Sequence, residues 1–344
     1  MYANNEGVNK MNRFLNIFKK KNKNTNENID KENSIIDENV NHFDPDIYLP
    51  QNVEKHSDCN LTKEQRINLV LKGVALGDYA GQPYEASSLS DCQDMPIEDI
   101  YKISLSCTDD TILTCATIDA IQNIKDYGSL YRKYAKKYKD PLGGYGARFL
   151  MWAYSNIPPQ SCGNGSAMRV GPIGTYNCAI QVVVEAYNSA ECTHDHPEGI
   201  KGAVVTAVCI WMAFHGYTKK EIAEYVNRYY DESPYSPVKS WEQMKSYEKV
   251  QGNPAVCQTT VPMAISCFVN SDSYEDCIWK AVQFGWDTDT QAAIAGSIAA
   301  AYYKEFSKES EEAWKTIKEI DYIKNIYHEN NGNDSSAMAE FQKE

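Results

Sequence analysis

Two clusters of oxygen-bearing side chains, Thr108-Asp109-Asp110-Thr111 and Asp287-Thr288-Asp289-Thr290, stand far apart in the chain, and each opens an apolar helical stretch. Carboxylate and hydroxyl oxygens are the donors that hard divalent cations such as magnesium or manganese select. A helix start also needs Asp or Thr to accept from its free backbone N–H groups, and for either cluster taken singly capping is the better reading. Four such groups in each exceed that need. An Asp at a helix start gains from the macrodipole, but adjacent carboxylates repel unless a cation neutralises them. If the two helix starts meet in the fold, they make a site with capacity for two ions. Such ions would align water and substrate oxygens for displacement at an electrophilic centre.

Three further features bear on chemistry. Glu85 follows the Gly-marked end of a helix; it is a solvated carboxylate by itself and a general acid or base if the fold brings it to the acidic clusters. The run Gly163-Asn164-Gly165-Ser166-Ala167-Met168-Arg169 is a loop of small residues whose backbone N–H groups can cradle a phosphate. Gly-rich turns are common, and Arg169 suits a phosphate or a structural carboxylate equally. His194 and His196 lie two apart at another helix start. Zinc would want further His or Cys at suitable spacing, and none is present. His194 reads as a hydrogen-bond partner of substrate or as a capping or buried histidine.

The elements that must position these groups are helical. Thr62-Lys63-Glu64-Gln65 matches a capping box, and Ile67, Val70, Leu71, Val74 and Asp78 follow helical spacing behind it. Gly73 and Gly77 share a face, so another backbone can approach there. The spacing predicts further helices over 109–124 (with Ile124 in the core), 148–154, 180–190, a run behind Thr193–Glu198, 221–230, 261–268, 274–284 and 292–303. The Tyr- and Lys-rich stretch to Lys139 reads as a polar region with no element assigned, and Ser233 to Gly252 as an exposed excursion. Convincing alternating strands are scarce. The expectation is an all-α fold: one compact helical domain over 61–330, a disordered or loosely attached polar segment over 1–60 and a polar tail over 331–344.

Composition narrows the function. The 344 residues carry a net charge of −13, which argues against bare nucleic acid as a partner. The 11 cysteines form no CxxC pair or zinc-finger spacing and suit a reducing, cytoplasmic setting. No apolar run of spanning length and no signal-peptide core is found, so stable membrane insertion is not expected.

In this order the motifs resemble the ADP-ribosylglycohydrolase family, of the type that includes dinitrogenase reductase-activating glycohydrolase. Gly73-Val74-Ala75-Leu76-Gly77-Asp78 through Pro83-Tyr84-Glu85 is similar to its opening motif. Thr108–Thr111 and Gly285-Trp286-Asp287-Thr288-Asp289-Thr290 are similar to its two metal motifs. Gly163–Arg169 resembles its ligand loop, and Thr193-His194-Asp195-His196-Pro197-Glu198 its Thr-His motif. The resemblance implies an all-α fold with a two-magnesium cleft (manganese serving as well). Metal would be held by Thr108, Asp109, Asp110, Asp287, Asp289 and Thr290. Glu85 is implied as the catalytic carboxylate, with Asp109 and Asp110 beside it. The loop from Gly163 through Asn164, Gly165, Ser166 and Ala167 to Met168, with His194, would face the ADP-ribose phosphates and ribose.

The implied reaction is hydrolysis of the bond joining ADP-ribose to a protein side chain, so the partner is an ADP-ribosylated protein or an ADP-ribose derivative. The chain departs from the family at Trp286, where Gly is usual, and at Cys107, where an aromatic residue is frequent. A ring at Trp286 would narrow the cleft or stack on a ligand. Three other classes compete: an inactive binder of ADP-ribose or a partner protein, a structural crystallin-like protein, and a metallohydrolase acting on phosphoesters.

Overall fold

Glycine at every fourth position of one helix sets the centre of this molecule. The computed structural model describes residues 43–53, 59–87, 92, 96, 99–155, 157, 159–247 and 250–326. In chain order its helices are α1 Lys63–Gly81, α2 Asp109–Asn123, α3 Tyr127–Lys137, α4 Ala147–Tyr154, α5 Gly165–Met168, α6 Ala179–Glu191, α7 Pro197–Phe214, α8 Lys219–Tyr230, α9 Trp241–Lys245, α10 Cys257–Val269, α11 Tyr274–Val282, α12 Thr288–Tyr303 and α13 Lys308–Ile317. Among the described residues the extended pairing is a single antiparallel bridge, Gly163 with Val256. The described residues from Pro45 on belong to one unit.

Helix α1 starts at the capping box, Thr62 Oγ1 accepting from Gln65 N and Gln65 Oε1 from Thr62 N. Its glycine face lies on α12 with almost no gap. A Cβ on Gly73 would stand 2.5 Å from Gly296 O, on Gly77 2.2 Å from Ala292 O, and on Gly81 2.3 Å from Thr288 O. Thr288 Oγ1 seals the lower end by donating to Gly81 O at 2.7 Å. Helix α12 is buried from Thr288 to Ala301, enclosed by α1, α7, α10 and α11, as its Ala-rich, all-round apolar sequence requires.

Gly77→Ala is therefore expected to destabilise the protein by about 1–3 kcal/mol, the cost of overpacking. In an exposed helix the same change gains about 1 kcal/mol. Gly146→Ala is the control, because a Cβ added there would meet nothing within 4 Å. Denaturant melts of the two variants check this; equal midpoints would contradict the close approach.

The structure differs from the sequence reading in four places. Ile124 is 95% exposed because it caps α2 in the left-handed conformation (φ 50°). The Tyr- and Lys-rich stretch is helix α3, started by Asp126 accepting from Ser129 N and burying Tyr127, Leu130, Tyr131 and Tyr134 on one face. The 233–252 segment is not a simple excursion. Tyr235 and Met244 are fully buried, the Tyr235 ring meets Phe284 edge-on, and Tyr235 O accepts from Ser266 Oγ. Helix α7 is long and apolar enough to cross a membrane by length and composition, yet every residue from Gly202 to Phe214 is buried by its neighbours, which makes it the core helix.

Residues 45–48 form a 3-10 helix tied to α8 by Tyr225 Oη donating to Tyr48 O at 3.0 Å and Tyr229 Oη to Ile47 O at 2.7 Å. The expectations for residues 1–42 and for the 331–344 tail lie outside the described residues.

Candidate active site

Helix α1 also gathers the two acidic helix starts. Asp78, one turn before its end and fully buried, accepts from Thr108 N at 2.9 Å and Thr111 N at 3.1 Å, and from Thr111 Oγ1. It thereby anchors the first turn of α2. The start of α12 is held to the same helix through Thr288 and Gly81. Across the gap, Asp110 Oδ2 accepts from Thr108 Oγ1 at 3.1 Å and from Thr290 Oγ1 at 3.2 Å. Residues from the two clusters, 180 positions apart, thus share one carboxylate.

The clusters open on a cavity of about 640 Å³ whose wall includes Glu85, Asp109, Asp110, Gly163, Asn164, Gly165, Met168, His194, Asp287, Asp289 and Thr290. Four candidates lie off this wall. Thr108 is buried behind Asp110. Ser166 turns inward to donate to Gly199 O at 2.8 Å, and Ala167 is packed in the core. Trp286 is 49% exposed. Its backbone, in the left-handed region at φ 65°, instead pairs with the Glu85 loop: Ala86 N donates to Trp286 O at 2.6 Å and Trp286 N to Ser87 O at 2.8 Å. Those two bonds set Glu85 relative to Asp287.

The glycine loop is more engaged than its sequence suggests. Gly163 N donates to Ser161 Oγ, Asn164 N to Ala255 O, and Ala167 N and Met168 N to Asn164 O. At most the amides of Gly165 and Ser166 remain for a ligand. Asn164 Nδ2 donates to Asp287 Oδ2 at 2.6 Å, which locks the loop to the second cluster.

Sequence reasoning missed several wall residues. Tyr145, Phe149, Gln160 and Val256 line the cavity. Gly143, at φ 77°, lies so near Glu85 that a Cβ there would be 2.9 Å from Glu85 Oε2. The signal for this wall was the Gly143–Gly146 turn beside two aromatics. The signal for Asp78 was a carboxylate on an otherwise apolar helix face.

Electrostatically the cavity crowds carboxyl groups that disfavour one another's ionisation. Burial, followed by the charges of Asp78 and other neighbouring carboxylates, pushes Asp109 and Asp110 well above the ordinary range. Burial, then Asp110 and Asp287, does the same to Asp289. Burial raises Asp287, and partial burial together with Asp287 raises Glu85. Asp78 is pushed up to about 6 by burial, against the hydrogen bonds it accepts. Asp110 Oδ1 is buried with no hydrogen-bond partner. Among the described residues no three His, Cys, Asp or Glu side chains already stand together at metal-binding spacing. Even so, a buried orphan carboxylate oxygen among mutually repelling Asp and Thr oxygens fits hard divalent cations in donor type and in charge.

A pH dependence follows. A carboxyl whose folded pKa is raised is neutral in both states at low pH, where its contribution is fully favourable. Stability is lost as the pH climbs through the folded value, because the native state then holds a buried charge or an extra proton. For Asp78, going from 3.8 to about 6 amounts to about 3 kcal/mol. In chelator, Tm is expected to fall between about pH 4 and about pH 7, and magnesium to raise it most at the upper end. A chelated protein whose Tm rises across that window would contradict this electrostatic account.

The chain matches the family model of ADP-ribosylglycohydrolase over residues 60–324. It is 27% identical over 304 residues to ADP-ribosylhydrolase ARH3 of Bos taurus, covering 68% of this chain and 83% of that protein. It is 23% identical over 273 residues to ADP-ribosylarginine hydrolase Tri1 of Pseudomonas putida, covering 71% and 73%. A solved structure described as an ADP-ribosylglycohydrolase-related protein complex shares the fold, with a TM-score of 0.57 and 21% identity over 73% of this chain and 92% of that one. With the family model spanning most of its length and the helical architecture shared, this chain belongs to the ADP-ribosylglycohydrolase family.

Proposed function

We propose that the protein is a magnesium- or manganese-dependent hydrolase that cleaves the N- or O-glycosidic bond between ADP-ribose and a modified protein side chain, reversing mono-ADP-ribosylation. The observation that carries this reading is the convergence of Glu85, both acidic helix starts, the Gly163–Met168 loop and His194 on one cavity. The names of the relatives, an ADP-ribosylhydrolase and an ADP-ribosylarginine hydrolase, support the substrate class.

Thr108, Asp109, Asp110, Asp287, Asp289 and Thr290 would hold two divalent ions. Such ions, when bound, offset the carboxylate charge and orient sugar and water oxygens. The chain's own residues do the rest. Scission at the anomeric carbon has oxocarbenium character, so the departing nitrogen or oxygen needs a proton. Glu85 lines the cavity with its acidity weakened by burial and by Asp287, a shift toward the protonated form that a proton donor needs. Asn164 holds the loop against Asp287, and His194 with the free loop amides binds phosphate and ribose oxygens. The negative net charge suits a modified protein better than bare nucleic acid.

The test is incubation with a panel of defined ADP-ribosylated side chains (arginine, serine, threonine, a nucleobase, an O-acetyl ester), with and without chelator. Free ADP-ribose is expected, and chelator is expected to stop its release. Inertness across the panel together with ADP-ribose binding would favour an inactive binder, and phosphate release a phosphoesterase.

A further inference from the structure

Arg169 is fully buried, yet among the described residues it meets no carboxylate. Its guanidinium lies over the Tyr131 ring, 3.8 Å from the centroid. Its Nη2 donates to Ser189 O at 3.1 Å and to Thr193 Oγ1. A guanidinium can only donate, so Thr193 Oγ1 is an acceptor in that bond and keeps its own proton to give. Two acceptors are near: Ala190 O at 3.5 Å and His194 Nδ1 at 2.7 Å. The first is beyond a useful O–H···O distance, so the hydroxyl donates to Nδ1. A ring nitrogen that accepts carries no proton, and in a neutral imidazole the proton is then on the other nitrogen.

That other nitrogen faces the ligand loop. A Cβ on Gly165 would stand 3.1 Å from His194 Nε2, and one on Gly163 3.6 Å. Both glycines and His194 are on the cavity wall. Burial, reinforced by the Arg169 charge, holds the imidazole's basicity well below its ordinary value, which disfavours the doubly protonated ring. Protonating Nδ1 as well would force Thr193 Oγ1 to accept from two donors and turn its own proton toward the distant Ala190 carbonyl.

We propose that Arg169 and Thr193 are positioning residues that lock His194 in the Nε2–H tautomer, so that it enters the cleft as a neutral, directional donor to a phosphate or ribose oxygen held at the Gly163–Met168 loop. The identity of that oxygen rests on the ADP-ribose reading; the tautomer does not. A cationic histidine would bind any anion without regard to direction, whereas a fixed N–H selects an acceptor along one line. The buried arginine thus acts on the tautomer of His194 through the Thr193 hydroxyl.

The experiment is imidazole nitrogen–proton NMR on the full chain labelled at histidine, in the absence of ligand. His194→Gln identifies the signals among the 6 histidines. Wild type and Thr193→Ser are expected to show His194 protonated at Nε2 and bare at Nδ1. Thr193→Val is expected to lose that single tautomer and to bind ADP-ribose about tenfold more weakly, the scale of one hydrogen bond, with Thr193→Ser restoring affinity. A wild-type ring protonated at Nδ1, or at both nitrogens, overturns the proposal. So does a valine variant with unchanged tautomer and affinity. If the valine variant does not fold, the wild-type and serine spectra still decide. A protein with the expected tautomer that takes no ADP-ribose retains the lock and refutes the ADP-ribose reading.

Discussion

Replacing Asp110 with asparagine is expected to lower ADP-ribose release by at least about 100-fold, a scale reached when merely an outer partner of a metal ligand is lost. The substitution keeps the side chain's size and removes its charge. It also puts an NH₂ group among Thr108 Oγ1 and Thr290 Oγ1, which now donate to Asp110 Oδ2, and leaves a hard cation without the buried Oδ1 that has no partner. Two readouts separate a metal role from a structural one. In the wild-type protein, magnesium is expected to raise Tm by preferential binding to the folded state; in Asp110→Asn that rise is expected to vanish. Meanwhile, stability in chelator is expected to hold or improve, because an unpaired buried carboxylate is costly. Lost activity with the magnesium-dependent rise intact would reassign Asp110 from metal to fold.

Glu85→Gln is expected to leave ADP-ribose affinity unchanged and to cut turnover by at least about 100-fold, the lower range for losing a general acid or base. The physical case rests on where Glu85 sits. Its backbone turn is fixed by the paired bonds between Ala86, Ser87 and Trp286, and Gly143 leaves room beside its carboxylate that any side chain would fill. The group is near the acidic cluster but bonds none of it, so its removal changes proton transfer more than architecture. In pH–rate profiles, the limb belonging to Glu85 should be absent from the Gln variant. Turnover retained near the wild-type level would move the proton-transfer role to Asp109 or another carboxylate of the cluster.

Much of the scaffold was legible residue by residue. The capping box at Thr62, the Pro197 helix start and the Ala-rich run to Tyr303 are local signals, and local hydrogen bonding is what they report. Helix α3 was missed because its buried tyrosines alternate with lysines that stay exposed, and the mean polarity hides a one-sided apolar face. Ile124 was misplaced because the periodic pattern continues through it, while the chain itself leaves the helix there by turning left-handed. Tyr235 sits between Pro234 and Pro237, which mark a turn without saying whether the residues between them are buried, and Met244 is set in a polar run that hides it.

The chain's own order of residues determined that this is a helical protein with two oxygen-rich helix starts, a glycine loop and a Thr-His turn, and that the set resembles one family. Only the tertiary structure decided that Asp78 anchors the first cluster, that Asp110 bridges Thr108 and Thr290, and that the Trp286 ring lies off the cavity wall. It also decided that Arg169 reaches His194 through Thr193. Helical period and capping depend on neighbours a few residues away. The glycine spacing of α1 announces that another backbone can approach but not which one; that α12 is the helix seated there, and that α2 is tied to α1 through Asp78, is a property of packing.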